Sequence, residues 1–236
     1  MMNIKKFNEL VSLVLETGVH PPKSLFSMGF EDWHARARLA HFLCMPEYDK
    51  TPEGVDLFKT IVDTEINEEN PEDVEEKVFA LQKLSACLRE NKAALDDSLY
   101  YINLAIELAE STDYLYKYIL RGELWADRWI TLYLQNKLDV AQAEVDEKIE
   151  AYEAIPIAHN SYLYYAYRFK AQIAGKNGTT LIAKDFMHKA ISFIEVPEEY
   201  KENLEVAFAA THDNISWILN QIDHATPSPD KVHWDI

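Results

Sequence analysis

Apolar residues recur every three to four positions along most of this chain, in blocks separated by short polar or proline-marked turns. Residues 4–15 place Phe7, Leu10, Val11, Val14 and Leu15 on one stripe, and Gly18 followed by Pro21-Pro22 closes it. Phe30, Trp33, Ala37, Ala40 and Cys44 then follow one helical face up to Met45-Pro46. Thr51-Pro52-Glu53 is a start signal, a capping hydroxyl followed by proline at the first helical position, and it opens a helix carrying Val55, Phe58, Ile61 and Val62. Asn70-Pro71-Glu72-Asp73 repeats that signal, with acids placed to suit the positive end of the helix dipole. This helix runs to about Glu90 through Val78, Leu81, Leu84, Ser85 and Leu88.

Beyond a break at Asn91-Lys92, the same period continues through Leu95, Leu99, Ile102, Ala105, Ile106 and Ala109. Ser111-Thr112-Asp113 reads as the cap of a helix holding Leu115, Ile119, Leu124, Trp125, Trp129, Leu132 and Tyr133. The next carries Val140, Ala141, Val145, Ile149 and Tyr152, and ends at Ile155-Pro156. Two helices back to back, turning at Asn177-Gly178-Thr179-Thr180, fill His159 to Pro197. Small residues sit where the two would touch: Ala171 and Ala174 in the first, Ala183 and Ala190 in the second. Pro197-Glu198-Glu199 starts a last long helix, and the aperiodic ATPSPDKVHWDI forms a tail.

No stretch alternates like a strand, so the pattern predicts an all-α chain of about ten helices. Helix pairs begin near Phe30, Asn70, Ser111 and His159, a spacing of roughly 40 to 48 residues. Regular alternation of helices and short turns predicts an α-α superhelix, a solenoid of about four helix pairs with capping helices. The predicted organisation is a single domain over 1–224, comprising an N-terminal capping helix at 1–18, helix-pair repeats at 30–197 and a C-terminal capping helix at 197–224. A flexible tail at 225–236 completes it.

Composition adds limits. A hydrophobic share of 48% supports a continuous core, and only 6 glycines in 236 residues favour helix. Forty acidic residues against 23 basic ones give a net charge of -17, which argues against nucleic acid or an anionic membrane as partner. No run approaches the roughly 18 apolar residues of a membrane span. The N-terminus lacks the apolar core of a signal peptide, so a cytoplasmic location is expected. Cys44 and Cys87 have no paired spacing and read as small buried hydrophobes in a reducing compartment.

The hairpin from His159 resembles the tetratricopeptide repeat, whose pattern runs Trp, Leu-Gly, Tyr, Ala, Phe, Ala, Pro. Tyr167 matches the leading aromatic, Ala171 the small residue of the Leu-Gly pair, and Ala183, Met187 and Ala190 the later trio. Lys170 stands where the pattern has leucine, and Pro197 follows about two residues late. The pair from Asn70 fits through Leu81, Leu84-Ser85, Leu88, Ser98, Ile102 and Ala105. The pair from Ser111 keeps Trp125, Ala141 and Val145 but has Lys148 at a small-residue position, and the first pair matches at Trp33 and Ala37. The resemblance covers about residues 30–197, with repeats longer than the family's usual 34 residues or so.

The resemblance implies a non-enzymatic module that binds a protein or peptide in a concave groove lined by the first helix of each pair. In that register the groove positions are Glu31, His34, Arg38 and His41, then Phe79, Gln82 and Arg89, then Ile130 and Tyr133, then Tyr165, Arg168 and Gln172. Three arginines and two histidines in an acidic protein would suit an acidic segment or a C-terminal carboxylate. The bland reading of the same residues is a solvated face whose arginines pair with neighbouring acids. No cofactor is implied, and self-association stays open, since Val232, Trp234 and the Ile236 carboxylate of the tail have the chemistry of a groove ligand.

Two other readings carry less. A regulatory sensor would close its groove on a small ligand or signalling peptide. A metal-dependent enzyme would use Glu31-x-x-His34 and Asp185-x-x-His188, which have the carboxylate and imidazole spacing of helical di-iron sites but lack defined partners. The run Asp63 to Glu76 holds eight acids and no base, which reads as a solvated loop and helix start. Tyrosines are dense at Tyr114, Tyr116 and Tyr118 and at Tyr162, Tyr164, Tyr165 and Tyr167, and adjacent helical positions cannot all face one core. No phosphate-binding glycine loop, nucleophile elbow or paired-cysteine motif is present.

Overall fold

The computed structural model describes residues 32–44, 51–90, 94–112, 121–155 and 160–193, with Asn3, Lys5, Lys6, Phe7, Glu9 and Ser12. The C-terminal capping helix and tail expected over 197–236, most of the N-terminal capping helix, Glu31, Tyr114, Tyr116 and Tyr118 lie outside these. Among the described residues there are eight helices: α1 Trp33–Leu43, α2 Thr51–Val62, α3 Pro71–Glu90, α4 Leu95–Ser111, α5 Arg121–Leu134, α6 Leu138–Glu153, α7 Ser161–Lys176 and α8 Thr180–Ile191. The chain is all-helical over these stretches, and none of these helices is long and apolar enough to cross a membrane. The sequence pattern suggested one domain from 1 to 224. The chain gathers into two compact units, Met1–Leu115 and Tyr116–Ile236.

The start signals work as capping chemistry requires. Asp32 accepts a hydrogen bond from the Ala35 N–H at 2.8 Å, Asn70 one from Glu72, and Asn160 one from Leu163. Asn160 does more than cap, because its side-chain amide donates to the Tyr152 carbonyl and its backbone N–H to that of Phe193. One buried residue thus joins the ends of three successive helices. Ser111 and Thr112, expected to cap the next helix, belong to the end of α4, and residues 113–120 lie outside the described ones. Both hydroxyls donate back to the Leu108 carbonyl and finish α4.

In the first unit, α1 packs on α2 and α3, α2 on α3, and α3 on α4. Contacts between α1 and α3 rise together along both helices, His34 to Asp73, Arg38 to Glu76, His41 to Phe79, so the two run parallel. The core joins Ala37, Ala40 and Cys44 of α1 to Phe58 and Ile61 of α2 and to Ala80, Leu84, Cys87 and Leu88 of α3. Residues 5–7 are helical, and Phe7 meets Phe42 edge-on at 6.4 Å. Lys77 of α3 is buried, and its ammonium donates to the carbonyls of Ile61, Val62 and Thr64 at 2.6–2.9 Å. Its three protons thus finish the end of α2. Ser85 and Ser98 clasp α3 to α4, each hydroxyl donating to the other residue's carbonyl, at 2.8 and 2.9 Å. The clasp explains why Ser98 is fully buried while the neighbouring Leu99 of the apolar stripe is only half-buried.

In the second unit α7 is the central element, packed against α5, α6 and α8. Three neighbours leave little of it in water, so Tyr162, Tyr164 and Tyr167 are all buried and only Tyr165 keeps partial exposure. Gly122 meets Ser161, Trp129 meets Phe169 at 5.9 Å and Tyr133 meets Lys176, so α5 and α7 also run parallel. The expected small-residue contact forms, with Ala171, Ala174, Ala183 and Ala190 all buried and Met187 wholly enclosed. Lys148, at a small-residue position of the family pattern, lies over the Trp125 ring at 3.9 Å, where its ammonium gains a cation–π contact. Val140, an expected stripe residue, is instead exposed.

The α5–α6 and α7–α8 turns share one geometry. Lys137 and Thr179 donate backbone N–H bonds to Leu132 and Ala174, while Asn136 and Gly178 donate to Tyr133 and Gly175. This is the Schellman pattern, with Asn136 and Gly178 in the left-handed region at φ 60° and 75°. A Cβ on Gly178 would meet nothing within 4 Å. Gly178→Ala is therefore expected to cost about 1 kcal/mol, purely conformational, and Asn136→Gly to recover part of such a cost. Chemical denaturation of the two variants checks both signs.

Candidate ligand-binding face

The basic positions expected on α1 do share one face, but that face meets α3. His34 Nε2 lies 3.0 Å from Asp73 Oδ1. Arg38 donates through Nε and Nη2 to Glu76 Oε2 at 3.1 and 2.6 Å, and its guanidinium lies 4.1 Å over the Phe79 ring. His41 meets the same ring edge-on at 5.2 Å. Burial lowers the His41 imidazole to about pH 4, with the Lys83 and Arg38 charges adding to the effect. Burial also raises the Glu76 carboxyl, with Arg38 opposing the rise. In this unit the arginine is paired, as the bland reading required. Local spacing could not name the partner, because the acids that receive α1 arrive one repeat later. Gln82, which is buried, and Arg89, which is half-buried, also have partners.

The second unit differs. Tyr133 is half-buried, and its hydroxyl accepts from Lys176 at 3.1 Å while the ammonium lies over its ring at 4.6 Å. Ile130 beside it is half-buried. Tyr165, Arg168 and Gln172 lie on α7 as expected, with Tyr164 joining them at the same helical spacing. Arg168 is 9% exposed and Gln172 8%. The Arg168 guanidinium sits 6.0 Å from the Tyr164 ring centre and 5.7 Å from that of Tyr165. The Tyr164 hydroxyl is buried with no hydrogen-bond partner among the described residues. Burial pushes both tyrosine hydroxyls above their usual range, so they stay protonated as donors. Glu123 lies close enough to raise both further.

Tyr164, Arg168 and Gln172 therefore form a ladder of buried donors along one helix. An unsatisfied buried hydroxyl is costly, and the guanidinium beside it adds a positive charge. An incoming carboxylate would satisfy both at once, since a guanidinium and a phenol can each donate to its oxygens. Sequence spacing found Tyr165, Arg168 and Gln172. It missed Tyr164, whose burial depends on three neighbouring helices.

The second helix motif, Asp185-x-x-His188, is not joined by further ligands. Among the described residues no three His, Cys, Asp or Glu side chains gather into a metal-ligand set. No protein-family model, curated protein or solved structure matches the chain.

Proposed function

We propose that the chain is a tetratricopeptide-like helical repeat protein that binds a peptide or protein segment through a carboxylate held on the face of α7. The observation that carries this reading is the buried Tyr164 hydroxyl, without a geometric hydrogen-bond partner among the described residues, beside the buried Arg168 guanidinium. Two features support the repeat. In each unit the first helix of one pair runs parallel to the first of the next, at separations of 38 to 39 residues in the closest polar contacts. Each first helix also packs against its own partner helix. The role is binding rather than catalysis: arginine supplies a fixed charge, the tyrosines donors and stacking surface, and Gln172 an amide one turn further along.

The test compares peptides carrying a free C-terminal carboxylate with their amidated forms, by isothermal titration against the full chain. Free-acid peptides are expected to bind, and Arg168→Met to weaken them about 10- to 100-fold, the worth of charge-assisted hydrogen bonds. Arg38→Gln should leave binding unchanged. The unliganded Arg168→Met protein should melt no lower than the parent, because an apolar side chain replaces a buried charge. Equal binding of amidated peptides, or full affinity in Arg168→Met, would end the proposal.

A further inference from the structure

Cys44 and Cys87 were expected to be unrelated buried thiols. They are neighbours instead. Cys44 caps the end of α1, with its backbone N–H on the Ala40 and His41 carbonyls, and Cys87 lies in the second half of α3. Both belong to the same core cluster, and their side chains are within hydrogen-bonding reach of each other. Neither carries a disulfide. α2 closes over them through Gly54, whose missing side chain is required there: a Cβ would sit 2.5 Å from the Cys44 Sγ and 2.8 Å from the Ala40 carbonyl. Each cysteine keeps a sliver of accessible surface, 7% and 8%.

We propose that Cys44 and Cys87 are a covalent modification site, a dithiol that a small peroxide converts to an intramolecular disulfide stapling α1 to α3. The two thiols are not equivalent. The hydrogen bond between them lowers the Cys44 thiol against the rise from burial and Glu90, and it raises that of Cys87, to which burial and Glu90 add. Cys44 is thus the better nucleophile and Cys87 the resolving thiol. The Cys44 thiolate attacks one peroxide oxygen, the O–O bond breaks, and a sulfenic acid forms as the other oxygen leaves as water. Cys87 sulfur then attacks the Cys44 sulfur, the S–S bond forms, and the S–O bond breaks. The Cys87 proton departs with the second water. Two thiols lose two electrons and one hydrogen peroxide gains them, and a small dithiol reductant reverses the step.

The surroundings favour this outcome over deeper oxidation. A resolving thiol already in contact captures the sulfenic acid before a second peroxide arrives. Apolar neighbours Phe58, Ile61, Leu84 and Leu88 leave room for little beyond a small neutral oxidant. The binding face on α7 belongs to the other compact unit, so this site stands independently of it.

The experiment treats the full chain with stoichiometric hydrogen peroxide, quenches it, alkylates under denaturing conditions without reductant, and maps the peptides by mass spectrometry. The expected product is one intramolecular Cys44–Cys87 cross-link, absent after dithiothreitol. Cys44→Ser and Cys87→Ser each abolish it. Of the two, Cys87→Ser should accumulate sulfenic acid at Cys44, trapped by dimedone, and Cys44→Ser should trap far less at Cys87. Two freely alkylated thiols after oxidation would overturn the proposal, as would sulfinic acid as the main product or a disulfide between two copies of the chain.

Discussion

Gly122→Ala should be among the most damaging single-methyl changes in this protein. Gly122 lies near the start of α5, where it donates its N–H to the Ser161 Oγ at 3.2 Å. A Cβ there would lie 2.3 Å from the Ser161 carbonyl oxygen and 2.4 Å from its carbon. Those are backbone atoms of α7, so no rotamer can relieve the clash. The two helices would have to separate, loosening Trp129 from Phe169 and the enclosed tyrosines behind them. Overpacking against backbone costs about 3 kcal/mol, offset by less than 1 kcal/mol from the better helix propensity of alanine. The melting temperature should fall on the order of 8 °C by thermal denaturation. Gly178→Ala provides the comparison, since its Cβ meets nothing and its cost is conformational alone. A Gly122→Ala protein melting level with the parent would mean that α5 and α7 are not held this close in solution.

The second large effect is acid sensitivity at His41. Its imidazole stays neutral in the fold down to about pH 4, against an ordinary value of 6.5. Protonation is therefore suppressed by folding. The stability that His41 permits is complete above pH 6.5 and is lost as pH falls from 6.5 towards 4. The full difference corresponds to about 3 kcal/mol, reduced to about 2 kcal/mol because the ring remains partly solvated. The cationic neighbours Arg38 and Lys83 and the Phe79 ring leave the imidazolium nothing to gain. Denaturant unfolding of the parent and His41→Gln, at pH 7.5 and 4.5, isolates this contribution, because the carboxylates common to both cancel. The parent should lose about 2 kcal/mol more than the variant on acidification. Parallel losses would show that the ring is solvated in the native state.

The sequence pattern carried the helices well, because each announces itself through a period of apolar residues bounded by turns, and several through a cap as well. Asp32, Asn70 and Asn160 cap as their residue types demand, and the alanines of α7 and α8 meet as their spacing demands. What it could not carry was the destination of a face. His34, Arg38 and His41 share a helical side, yet whether that side meets solvent or another helix depends on Asp73 and Glu76, 38 to 39 residues away. Arg168 has the same residue type, but it is buried beside two tyrosine rings instead. Its difference from Arg38 is a property of the neighbouring helix, not of local sequence. The same holds for Cys44 and Cys87, which become a pair only because α1 packs against α3.

Lys77 sets the order in which the first unit can come apart. The Ile61, Val62 and Thr64 carbonyls at the end of α2 receive hydrogen bonds from an ammonium rooted on α3. Undocking α3 would strand those acceptors and strip α2 of its last turn in the same event. The two helices therefore share one opening free energy, and their amides should exchange with solvent deuterium as a single cooperative block.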